Sequence, residues 1–111
     1  MSTSMDAYRA LELDPDDGEV VETELVVTDD VLVKAFALGP GAKLPAHEHA
    51  SSTNVFHVTE GTVTVLREGT EATVGAPGVV HHPRGAAHGA RNETDRTAVL
   101  TASLAPMPGS G

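Results

Sequence analysis

Short runs of β-branched and aliphatic residues alternate along this chain with tight Gly, Pro, Asn and Asp punctuation. Turn signals fall at Asp29-Asp30, Gly39-Pro40-Gly41, Glu60-Gly61, Glu68-Gly69, Ala76-Pro77-Gly78, Pro83-Arg84-Gly85 and from Asn92 to Asp95. They bound eight segments, residues 20–28, 31–38, 54–59, 62–67, 71–74, 79–82, 88–91 and 96–104. Segments this short, closely spaced and rich in Val, Thr and Leu read as strands of an all-β sandwich or barrel. Parity within a strand then assigns faces: if Asn54, Phe56 and Val58 line the interior, His57 points outward. The one helical pattern is a single turn over residues 5–11, with Tyr8 and Leu11 on one side and Ser4 as N-cap.

A chain of 111 residues fits one domain. The pattern divides it into an N-terminal segment (1–19), a β domain (20–105) and a loose C-terminal tail (106–111). Apolar residues make up 40% but aromatics only 3%, so the core must come from Val, Leu and Ala. The net charge of −9 repels phosphate backbones and anionic lipid, which argues against nucleic-acid and membrane partners. Acidic residues number 16 and the only lysines are Lys34 and Lys43, a balance similar to that of proteins from salt-loving archaea. Residues 1–9 carry neither a basic start nor an apolar run, and the expectation is a soluble cytoplasmic protein. With no cysteine, disulfides and thiolate chemistry are excluded, and any metal must be held by nitrogen and oxygen.

Six histidines stand out against that background: 47, 49, 57, 81, 82 and 88. His47 and His49 are two apart, so on extended chain both rings leave the same face and can share one ion at about 2.0–2.1 Å. An isolated His-Glu-His reads equally well as the polar edge of a loop, with Glu48 as solvated surface charge. His81 and His82 are neighbours on one strand, so at most one faces inward, as a hydrogen-bond partner of a ligand, a proton-transfer group or plain surface.

The frame around these histidines narrows the choice. Gly41-x5-His47-x-His49-x4-Asn54-x6-Gly61 resembles the first motif of the cupin family, and Pro83-x-Gly85-x2-His88-x3-Asn92 resembles its second. One hairpin, residues 62–67 and 71–74, lies between the motifs, as in small family members, and the likeness spans about residues 31–104. The resemblance implies a double-stranded β-helix, a jelly-roll barrel, holding one divalent metal through His47, His49 and His88. It also implies a ligand at position 54, where the family usually has Glu and this chain has Asn54. Asn offers a carbonyl oxygen but no charge, and a three-His site favours Zn, Ni, Fe(II) or Cu over Mg or Ca; the expected cofactor is one divalent transition metal, Zn, Ni, Fe or Mn.

Two functions follow. One is a metal-dependent enzyme acting on a small molecule, with oxygenase chemistry its sharpest form and sugar isomerisation a weaker one. The other is a non-enzymatic barrel that binds a small ligand, with the metal an anchor or absent. The resemblance further implies a homodimer, with residues 20–28 as a pairing or exchanged strand. Asn92 is expected to cap the turn that follows it.

Overall fold

The structure is a computed structural model that describes residues 13–108. Among the described residues nine strands are present: β1 (Val20–Val27), β2 (Leu32–Leu38), β3 (Lys43–His47), β4 (Thr53–Glu60), β5 (Thr62–Arg67), β6 (Thr70–Gly75), β7 (Gly78–His82), β8 (His88–Arg91) and β9 (Ala98–Ala105). The described residues contain no helix. The helical turn expected over residues 5–11 lies outside them.

The strands form two antiparallel sheets, ordered β1-β2-β9-β4-β7 and β3-β8-β5-β6. Neighbours are repeatedly distant in sequence, β2 beside β9 and β3 beside β8, so the chain winds between the sheets as the expected double-stranded β-helix. The fold class is therefore all-β, and eight of the strands coincide with the eight segments bounded by turn signals, to within a residue or two at each end.

The ninth, β3, is not among those segments. Pro45 sits in its middle and most of its residues are exposed, so it carries neither an apolar alternation nor an uninterrupted set of N–H donors. It is tolerated because β3 is an edge strand whose register with β8 shifts between Leu44 and His47, which leaves Pro45 and Ala46 in an irregularity. Pairing resumes with His47 directly opposite His88.

The inward faces grade from solid core to open cavity. Leu38 of β2, Val58 of β4 and Leu100 of β9 are fully buried and pack with Val63 and Val65 of β5. Each such side chain contributes on the order of 1.5–3 kcal/mol by leaving water. Further along the same strands the inward positions Phe36, Asn54 and Leu104 border a cavity of about 390 Å³. Asn92 closes the core end. Its amide nitrogen donates to the Leu38 and Arg96 carbonyls at 2.9 and 2.7 Å, and its oxygen accepts from the Thr94 N–H and hydroxyl, the turn-capping role expected for it.

Candidate metal centre

Three imidazoles converge at the rim of this cavity. His47 ends β3, His49 follows two residues later, and His88 opens β8. Their ring centroids lie 4.9 Å (His47 to His49), 4.7 Å (His47 to His88) and 5.7 Å (His49 to His88) apart. One nitrogen from each falls within 4.8 Å of the others. Tetrahedral binding at about 2.0–2.1 Å brings ligand nitrogens to roughly 3.3 Å, a closure that small rotations of the two less buried rings supply. Two loops hold the set: His49 is tethered where its carbonyl accepts the Gly85 N–H at 3.0 Å, joining the two motif loops.

Hydrogen bonds fix which nitrogen faces the centre. The His47 Nδ1 meets the Pro45 carbonyl at 3.0 Å and the His88 Nδ1 meets the Ala86 carbonyl at 2.9 Å. A carbonyl only accepts, so both Nδ1 atoms carry the proton and both Nε2 atoms keep a lone pair. Burial, the first cause, holds the His49 pKa below its ordinary value, with the charges of His47, His88 and Lys34 adding to it. Burial also lowers that of His88, partly offset by the Ala86 carbonyl and reinforced by His47. Both rings therefore stay neutral, the form that ligates metal, to lower pH than free histidine.

Asn54 is 2% exposed, and its Nδ2 donates to His88 Nε2 at 2.6 Å while its Oδ1 has no partner among the described residues. The amide thus occupies the lone pair that a metal would take, and half a turn of the amide would point its orphaned oxygen at the same centre. No Asp or Glu joins the cluster among the described residues. These observations fit a divalent ion of the borderline nitrogen-binding kind, with a carbonyl oxygen in reach.

The remaining histidines separate as parity requires. His57 and His81 are exposed, as is Glu48 between the two histidines of the first motif. His82 is fully buried and stacks on His88 with centroids 4.6 Å apart and planes 9° from parallel, its edge meeting Phe56. Both of its nitrogens lack hydrogen-bond partners among the described residues, and burial foremost, then the charge of His88, lowers its pKa to about 4. It acts as a flat neutral wall behind His88. Ser52, also buried, donates its hydroxyl to the Pro106 carbonyl at 2.7 Å, which brings residues 106–108 to the cavity mouth, where Pro108 lines it.

The cupin domain model matches residues 35–104, both motifs and the barrel between them. The chain belongs to the cupin family. No curated protein matches this cupin. Among solved structures it is similar to the TT1209 protein of Thermus thermophilus, with 29% identity and a TM-score of 0.80 over 86% of this chain and 91% of that one. It is also similar to an RmlC-like cupin protein of Desulfovibrio desulfuricans, at 23% identity and a TM-score of 0.83 over 94% and 99% of the two chains. A predicted oxalate decarboxylase of Thermotoga maritima superposes with a TM-score of 0.76 at 19% identity, over 81% of this chain and 83% of that one, a likeness of fold.

Two residues of this cupin's site are not singled out by the sequence motifs. Gly89, next to His88, sits where β8 passes tightly against β3: a Cβ there would stand 2.7 Å from the Leu44 carbonyl oxygen and 3.2 Å from the Ala46 Cα. A glycine inside a strand is its only signal. Lys34 lines the cavity between Leu32 and Phe36 on the inward face of β2. Its signal is a lone charge at inward parity in an otherwise apolar strand.

Proposed function

We propose that this cupin holds one divalent transition metal (Zn, Ni, Fe or Mn) through Nε2 of His47 and His88 and a ring nitrogen of His49, and that Asn54 turns its Oδ1 to the ion. A small molecule enters the adjoining cavity and completes the coordination. The observation that carries this reading is the gathering of one nitrogen from each of three imidazoles within 4.8 Å, with His47 and His88 held at Nδ1 by carbonyls, beside a cavity of about 390 Å³. That volume sits at the lower end of the roughly 300–1,000 Å³ found for small-molecule sites. When bound, the ion supplies Lewis-acid chemistry or, as iron, redox chemistry toward dioxygen. The protein's part is to hold the three imidazoles and to exclude water with the walls of Phe36, Phe56 and Leu104.

A second reading, a non-enzymatic ligand-binding barrel, draws on the Asn54 to His88 hydrogen bond, which satisfies the His88 lone pair without any ion. Elemental analysis of untagged protein purified without chelators, beside a His47→Ala/His49→Ala double variant, separates the two. Near-stoichiometric metal in the parent and none in the variant is expected. Negligible metal in both, after exposure to Fe(II), Zn, Ni and Mn, would give the barrel to the ligand-binding reading.

We further propose that two copies pair through the sheet edge at β1. Among the described residues that strand bonds to β2 on one side only, and Val27 on it is 53% exposed.

A further inference from the structure

Lys34 is out of place if β2 serves only to pack. Leu32, Lys34, Phe36 and Leu38 share the inward face of that strand, and the first three line the cavity together with Leu44, Phe56 and Leu104. An aliphatic side chain would suit such a wall. Instead an ammonium group stands there, its side chain 28% exposed, with Glu22 of β1 at 2.9 Å as its ion-pair partner. Glu22 is half exposed and reaches Lys34 from a neighbouring strand, an arrangement that contributes little and leaves two of the three ammonium protons without a partner among the described residues. The bland account is a lysine whose stem covers apolar surface while its head seeks solvent at the rim. It does not account for the charge balance of the cavity: among its described lining residues Lys34 is the one cation, and there is no carboxylate.

We propose that the cavity selects a small monocarboxylate with an apolar body, its carboxylate held by Lys34 on the side toward the three histidines and its body against Phe36, Leu44 and Phe56. The class follows from three facts. The described walls are mainly apolar, the one fixed charge among their lining residues is the Lys34 ammonium, whose partner Glu22 lies outside the lining, and a chain of net charge −9 repels anions except where it builds a site for them. Charge-assisted hydrogen bonds from a half-buried ammonium are stronger than those to neutral groups, so the ionised acid should be preferred to its amide. A divalent ion on the histidines would add to that preference, and Lys34 alone would sustain part of it. The proposal rests on the reading that this cavity is the ligand site and does not require the ion.

The test compares hexanoate with hexanamide, a pair nearly equal in shape and different in charge, by isothermal titration at pH 7 on metal-depleted and Zn-treated protein, alongside metal content. In metal-depleted protein hexanoate should bind the parent at least about tenfold more tightly than hexanamide, Lys34→Met should bring the two within about twofold, and Lys34→Arg should retain the preference. In metal-depleted protein, equal binding of acid and amide by the parent, a preference that survives Lys34→Met, or no binding of either probe at millimolar concentration would overturn it. If Lys34→Met does not fold, loss of the preference in Lys34→Arg, folded by circular dichroism, would overturn it as well. A Lys34-dependent preference in protein that takes up no metal would leave this inference standing and remove the metal; full metal with no preference would do the reverse.

Discussion

Histidine 82 carries a consequence of burial that its neighbours share less strongly. The ring is fully buried, stacked on His88 and unpartnered at both nitrogens among the described residues, and its pKa lies near 4. The unfolded chain protonates this side chain near 6.5, so between pH 6.5 and 4 the unfolded state binds more protons than the folded one and stability rises with pH. Metal-free protein should therefore lose up to about 3 kcal/mol of stability as pH falls through that window, in urea titrations read by circular dichroism. His82→Leu should flatten the slope and leave only the smaller share of His49 and His88, whose pKa values are lowered in the same direction. An unchanged slope in that variant would mean that His82 does not set it. Parity places one of His81 and His82 inside. It cannot choose between them, because that choice depends on the pairing of Asn54 with His82 across β4 and β7.

At the scale of elements, two of the three histidines are placed by one strand pair. β3 and β8 bring His47 opposite His88, and they do so at an irregularity that Gly89 permits by lacking a side chain. Gly89→Ala would place a methyl group 2.7 Å from the Leu44 carbonyl oxygen, with backbone on both sides and no flexible side chain to give way. The expected cost is about 1–3 kcal/mol in thermal or denaturant unfolding. Because the displaced segment leads into His47, metal affinity should fall together with stability. A variant of parental stability would show that β3 moves aside freely. The eight segments between turn signals are legible in the sequence because Gly, Pro and Asn mark the hairpins of small β domains, and the three histidines are legible because their intervals match two motifs. β3 is not, since Pro45 and its exposed residues look like loop until β8 lies beside them. Lys34 is readable only as a charge in a strand. That it faces a cavity follows from the place of β2 between β1 and β9, with Leu44 of β3 across the cavity.

The whole molecule carries a net charge of −9 on 111 residues, with ion pairs that do little to balance it. Glu71 and Glu93 share Arg91, at 2.7 and 3.2 Å, and Glu22 has Lys34, but acidic residues outnumber Lys and Arg by 16 to 7. Self-repulsion of this kind acts on the compact state more than on the expanded one, and salt relieves it. Screening lengths shorten from about 10 Å at 0.1 M to about 3 Å at 1 M, so most of the relief should arrive below 1 M. Melting temperature should therefore climb with added KCl over that range and then level off. A climb that continues linearly to several molar would point instead to surface exclusion of salt, a different cause with a different concentration dependence. The same repulsion opposes pairing of two copies through β1. Light scattering along the KCl series should report the mass of two chains once the charge is screened, and a mass of one chain at every concentration would show that the β1 edge pairs with nothing.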